Sequence, residues 1–174
     1  MSDIDYDAPL HDWEKPFAKW DFSPMFPLNV EFQVLKIKRL DKDLPMPDYQ
    51  TDGAAGIDLY CTEDIIIRPN SNEKISFGIA IELPYMHFGM VTTRSGIGFK
   101  LSTESRLGII DFDYRGELKG KFYNYSNHNE ARFKKGDRIA QLIVIPYAKC
   151  MIVEKEELGE TERGTGGFGH TGVR

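Results

Sequence analysis

The sequence predicts an all-β fold of the sandwich, jelly-roll or small-barrel kind, on three observations. Apolar and polar residues alternate over several short windows. Clusters of Gly, Pro, Asn and Asp separate those windows at short intervals, as in Arg68-Pro69-Asn70-Ser71-Asn72. No window carries a long 3.6-residue period, so extended amphipathic helices are not expected.

In chain order, residues 1–29 read as an acidic, aromatic extension. Residues 1 to 30 hold six acids against Lys15 and Lys19, a balance of -4 out of the chain's -5, and include both tryptophans, Trp13 and Trp20. Such a segment either packs its aromatics on the main body or a neighbouring subunit, or docks a protein partner. Val30 to Lys38 then alternates almost strictly, as a half-buried strand does. Ile65-Ile66-Ile67 is a short β-branched run read as a buried strand. Lys74 to Glu82 alternates and is closed by Pro84, and Gly89-Met90-Val91 leads a strand that ends at Arg94-Ser95-Gly96. Leu142-Ile143-Val144-Ile145 is a further buried strand. The body spans residues 30–158, and 159–174 form a glycine-rich tail.

The length, 174 residues, suits one domain, and 41% hydrophobic against 28% charged residues supports a folded core. A net charge of -5 argues against a protein that coats nucleic acid. No apolar run approaches the roughly 18 residues of a membrane span, and the acidic N-terminus is unlike a signal peptide. Cys61 and Cys150 lie far apart with no CxxC pair, which excludes a cysteine zinc site and points to a reducing, cytoplasmic compartment. The four histidines are scattered, and no G-x-S-x-G, HExxH or deaminase zinc signature is present.

Several segments carry chemistry. Arg94-Ser95-Gly96 offers a cation, a hydroxyl and a permissive glycine at a strand end, the makings of a phosphate grip. In Gly108-Ile109-Ile110-Asp111-Phe112-Asp113-Tyr114-Arg115-Gly116 an ideal strand places Asp111 and Asp113 on one face and Tyr114 on the other. Those acids are either a solvated strand end or a pocketed general base. Gly53-Ala54-Ala55-Gly56-Ile57-Asp58-Leu59 is a small-residue turn entering a strand, without Walker spacing. Lys134 to Arg138 reads as a turn. The tail from Arg163 to Arg174 is either a disordered terminus or a phosphate-binding flap with Phe168 as a stacking face.

Taken in order, five segments resemble the motifs of the trimeric dUTPases (deoxyuridine triphosphate nucleotidohydrolases). They are Ala55 to Leu59, Arg94 to Gly96, Gly108 to Gly116, Gly136 to Leu142, and Arg163 to Gly172. The resemblance implies a distorted jelly roll with a swapped C-terminal arm, assembled as a homotrimer with active sites shared between subunits. It implies hydrolysis of dUTP to dUMP and pyrophosphate, with Asp111 as general base. Gly108, Ile109 and Ile110 would read uracil from a hairpin backbone, with Tyr114 against the deoxyribose and Lys119 also in contact with substrate. Arg94, Ser95, Gly96 and Gln141 would hold the phosphates. Arg163, Phe168, Gly169, His170 and Thr171 would close as a lid. Mg²⁺ would be bound through the triphosphate and water, with no direct protein ligand. The sequence departs from the family's pattern at Glu104, Arg106 and Leu107, bulky residues leading into the uracil hairpin. The competing readings are a dCTP deaminase, a non-catalytic binding protein on the same fold, and a nucleic-acid-binding β module.

Overall fold

The computed structural model of the chain describes residues 33–106 and 108–166, and the two tryptophans and the tail beyond Gly166 lie outside that range. The described residues form β1 (Lys36–Arg39), β2 (Ile57–Tyr60), β3 (Ile65–Ile67), β4 (Ser71–Glu82), β5 (His87–Thr93), α1 (Ser95–Leu101), β6 (Thr103–Ser105), β7 (Gly108–Ile110), β8 (Glu117–Asn124), β9 (Ala131–Phe133) and β10 (Arg138–Pro146). One antiparallel sheet runs β1-β4-β8-β6 and a second runs β2-β10-β5-β7, with β3 and β9 as a separate two-stranded ladder. This is a jelly-roll sandwich, and the all-β expectation holds. Among the described residues no helix is long and apolar enough to cross a membrane.

Alternation in the sequence becomes the core. Along β8, Leu118, Phe122 and the small Gly120 face inward while Lys119 and Lys121 face out. On β10, Ile139, Ala140 and Leu142 are fully buried. Phe77 of β4 meets Phe122 edge to face, with ring centroids 6.4 Å apart, joining two strands of the first sheet within the core.

Three differences from the sequence reading have physical causes. In the described part of the alternating run that starts at Val30, residues 33–38, the strand begins only at Lys36, because β1 pairs with β4 from Lys36↔Glu82 to Arg39↔Ile79 and β4 ends there. Pro84, which lacks an N–H, stands two residues beyond the end of β4 and does not extend the ladder toward residues 33–35. The helix α1 is not announced by periodicity, since its seven residues include Gly96 and Gly98. Ile97 and Leu101, one turn apart, pack against the core and hold it in place. Asp111 and Asp113 fall beyond β7 in a turn, so they do not share a strand face.

Gly78 positions β4 between its neighbours. At this residue φ is +63°, and the register against β8 slips between Ser76↔Lys119 and Ala80↔Glu117. Its carbonyl accepts from both Leu40 N (2.8 Å) and Asp41 N (3.1 Å), turning the chain out of β1. A Cβ here would lie 2.9 Å from Thr62 Cγ2 and 3.0 Å from Asp41 Cβ. Gly78→Ala is therefore expected to cost about 1–3 kcal/mol, read as a lowered midpoint in thermal unfolding.

The Lys134 to Arg138 turn is as the sequence reads it. Gly136 has φ +88°, Lys134 N donates to Asp137 Oδ2 (2.8 Å), and Asp137 N returns to Lys134 O (2.9 Å). The buried Cys61 thiol donates to Lys134 O at 2.8 Å, and burial pushes its pKa up, keeping it protonated. Asp64 clamps the outside of the turn through Lys134 Nζ and Lys135 N, both at 2.9 Å. The Lys134 ammonium, then the Lys135 amide, holds the Asp64 carboxyl below its usual range. A depressed carboxyl contributes stability that is present above the unfolded value near 4 and lost as pH falls through the folded value. Urea titrations should show Asp64→Asn less stable than the parent at pH 7, with the gap closing below about pH 4.

Candidate active site

The site is built from the second sheet outward. β10 lies between β2 and β5, and Gln141 stands directly opposite Asp58 on one side and Thr92 on the other. Gln141 lies across Gly56, where a Cβ would come within 2.6 Å of its Oε1. The glycine is thus needed for the glutamine to occupy that place. A cleft of about 480 Å³ opens here. Its walls are Gln50 and the small residues Ala54, Ala55 and Gly56 from the loop before β2, with Asp58 on β2, Gln141 on β10, and Arg94, Ser95, Gly96, Ile97 and Lys100 around α1.

Asp58 is a carboxylate between Ile57 and Leu59 in a buried strand, and only 5% of it is exposed. Two arginines offset that burial. Arg94 Nε meets Asp58 Oδ1 at 2.9 Å, and Arg138 Nη1 lies 3.3 Å from Oδ2. The second contact is an ion pair without hydrogen-bond geometry, so Oδ2 has no hydrogen-bond partner among the described residues. Arg94 Nη1 also donates to Arg138 O (3.0 Å), and Arg138 Nη1 is bonded to Gln50 Oε1. Arg94 and Lys100 on the walls against the single carboxylate Asp58, with Arg138 behind it, leave the cleft cationic and suited to a polyanion. A Cβ on Gly96 would meet nothing within 4 Å, so no contact inside the described chain demands a glycine at that position.

The second group of residues stands at the sheet edge. Among the described residues β7 pairs only with β5, in the register Gly89↔Ile110, Met90↔Ile109 and Val91↔Gly108. Asp111 follows, exposed, and its carbonyl accepts from Tyr114 N (3.1 Å) to close a turn. Tyr114 folds back over Gly116, leaving no room for a Cβ there, and its hydroxyl donates to Glu117 O (3.2 Å). Lys119 is paired with Glu117 at 2.7 Å, which raises the lysine's pKa. β7 belongs to one sheet and β8 to the other. The segment is therefore a bridge between sheets rather than the two-stranded hairpin expected from the resemblance.

Arg94, Ser95, Gly96 and Gln141 are thus brought together in one cleft. Gly108, Ile109, Ile110, Asp111, Tyr114 and Lys119 are not among its walls. Arg163 Nε donates to Gly166 O (2.9 Å) within an exposed turn. Phe168, Gly169, His170 and Thr171 lie outside the described residues. Gln50, Asp58, Lys100 and Arg138 were not assigned by sequence reasoning. For Asp58 the signal was present: an acid inside the apolar run Ile57-Asp58-Leu59 demands a buried cationic partner.

Comparison with known proteins gives the family of the chain. The dUTPase family model matches residues 42–172. The deoxyuridine 5'-triphosphate nucleotidohydrolase of Nautilia profundicola is 44% identical over 140 residues, covering 79% of this chain and 98% of that protein. The dUTPase of Staphylococcus bacteriophage 80alpha, solved with dUpNHpp, superposes with a TM-score of 0.76 at 28% identity, covering 80% of this chain and 99% of that one. A mutant dUTPase from phage phi11 of S. aureus, whose structure describes coordination of a structural Mg(II) ion, shares the fold at a TM-score of 0.68 and 22% identity, covering 71% and 97%. On the family match and the extent of the bacterial likeness, this chain belongs to the dUTPase family.

Proposed function

We propose that the chain hydrolyses dUTP to dUMP and pyrophosphate with Asp111 as the general base. The observation that carries this reading is the cationic cleft around Arg94, fixed by a buried carboxylate. Arg94 arrives already bonded to Asp58 and to the Arg138 carbonyl, so its remaining donors are held in place before a phosphate enters. Ser95, Gly96 and Gln141 add a hydroxyl, an unobstructed backbone and an amide on the same walls.

The base is read from the other group. β7 is an edge strand, and the N–H and C=O groups of Gly108, Ile109 and Ile110 that point away from β5 suit the donors and acceptors of a uracil edge. A mismatched base leaves such groups unpaired, which penalises it strongly. Tyr114 stands beside this edge for the deoxyribose, and Lys119 beyond it for substrate. Asp111 takes a proton from water, and the resulting hydroxide attacks the α-phosphorus. The bond from that phosphorus to the bridging oxygen breaks, and pyrophosphate departs with the electron pair. Arg163, Phe168, Gly169, His170 and Thr171 close over the nucleotide and exclude bulk water.

The cleft and the Asp111 turn are separate surfaces of one chain. A homotrimer supports both at once, with the Asp111 turn of one subunit facing the Arg94 cleft of the next. For the metal, the described residues contain no cluster of three or more carboxylate, histidine or cysteine ligands, and Asp58 is the single carboxylate on the cleft wall. That donor set fits Mg²⁺ held chiefly by phosphate oxygens and water rather than by a cage of protein carboxylates. When present, the ion would neutralise charge on the phosphates.

Asp111→Asn should keep its affinity for dUpNHpp while kcat for dUTP falls about 10²–10⁴-fold; turnover near that of the parent would remove Asp111 from the mechanism. Arg94→Lys should lower kcat/KM by about tenfold or more, mostly through KM, because an ammonium cannot span Asp58, the Arg138 carbonyl and a phosphate together. Steady-state kinetics over a range of dUTP concentrations reads both effects.

A further inference from the structure

The outer face of the sheet β1-β4-β8-β6 carries a row of cations that the catalytic reading does not use. Lys74 on β4 stands directly opposite Lys121 on β8. Arg106 continues the row beyond β6, where its backbone N–H donates to Lys121 O at 2.8 Å. All three are exposed, and none makes an ion pair among the described residues. Like charges directly opposed across strands are unfavourable without a counter-charge over them. Lysines on edge strands discourage aggregation, but β8 lies between β4 and β6, so Lys121 has no edge to guard. Beside the row, Tyr123 and Tyr125 are stacked at 6.0 Å and 21°, with Tyr125 60% exposed and Lys121 Nζ 5.4 Å from the Tyr123 ring centre. On the same face Glu104, opposite Tyr123, makes no ion pair among the described residues, and Glu117, within electrostatic reach of Lys74, is already paired with Lys119.

The complementary charge lies within the same chain. Residues 1–32 hold seven acids against Lys15 and Lys19, a balance of -5, so the remaining residues are neutral overall. The acids flank aromatic side chains, as in Asp12-Trp13-Glu14 and Trp20-Asp21. This segment joins the body just before β1, in the same sheet as the cationic row. From β1 to β8 is two strand spacings, about 10 Å, and the segment is long enough to cover that many times over.

We propose that the acidic, aromatic segment 1–32 docks in cis on the Lys74–Lys121–Arg106 row, its carboxylates over the cations and a tryptophan against the Tyr123–Tyr125 platform. Tethering at β1 makes the contact intramolecular and raises its effective concentration.

The chain's two tryptophans both lie in this segment, so their fluorescence reports on it alone. In the full-length protein at low salt, emission should be blue-shifted and shielded from acrylamide. About 1 M sodium chloride, which shortens the Debye length to about 3 Å, should move the emission to the red and raise quenching severalfold. The variant K74E/K121E should do the same at low salt, with its circular dichroism and dUTP turnover unchanged. D12K/E14K, which alters no described strand, should reproduce the effect from the other side. In an equal mixture of isotope-labelled and unlabelled chains, carbodiimide should couple carboxylates of the segment to Lys74 or Lys121 of the same chain. Solvent-exposed tryptophans in the parent, or shielding indifferent to both variants, would overturn the proposal. So would coupling found only between differently labelled chains, which would give the face to a second copy.

Discussion

A single buried carboxylate organises the end of the second sheet. Asp58 sits in a strand whose neighbours Ile57 and Leu59 are core residues, and an isolated charge there would be costly to desolvate. Its two arginines come from different places. Arg94 follows the last residue of β5, and Arg138 is the first residue of β10. Through them Asp58 on β2 fixes the relative positions of three strand ends, and Arg94 adds a second tie by donating to the Arg138 carbonyl. Burial and function are linked at this point. The carboxylate is tolerated because the arginines are present, and the arginines are oriented because the carboxylate cannot move. An all-apolar strand in its place would leave both arginines without their counter-charge.

The sandwich separates two kinds of recognition. The cleft lies over β2, β10 and α1, where small residues and cations suit phosphate oxygens. The Asp111 turn lies at the edge β7, where free backbone groups suit a base. Neither surface can be moved to the other within one chain, because β7 is fixed by its ladder to β5 and the turn beyond it must cross to β8 in the opposite sheet. Gly116 matters for that crossing. It gives Tyr114 a place to fold down, and Tyr114 in turn bonds the start of β8.

Much of this was legible in the sequence, and the failures have physical causes. Strands buried on one face betray themselves through alternation, as β8 does with Leu118 and Phe122 inward and Lys119 and Lys121 outward. The run from Val30 carried the same signal and yet, among its described residues, paired only from Lys36, because strand length is a property of the partner as well as of the run. The helix α1 was invisible because two glycines oppose it locally and only the packing of Ile97 and Leu101 favours it. Arg94 and Gln141 were identified through the order of motifs. Asp58 and Arg138 lay inside quoted motifs without a role, since an ion pair between distant strands leaves no trace in local spacing. Gln50 and Lys100 became visible only once the cleft closed around them.

Charge partition adds a constraint that neither sheet imposes by itself. With residues 33–174 neutral overall, the net charge of the chain resides in its first 32 residues. A neutral body can still be strongly polarised, and this one places cations both in the Arg94 cleft and on the outer face of the other sheet. A free acidic segment near an anion-binding cleft would compete with the substrate for the arginines, since carboxylates and phosphates offer the same forked acceptors. Docking on the Lys74–Lys121–Arg106 row, as proposed, would remove that competitor and leave the Arg94 cleft open to phosphate.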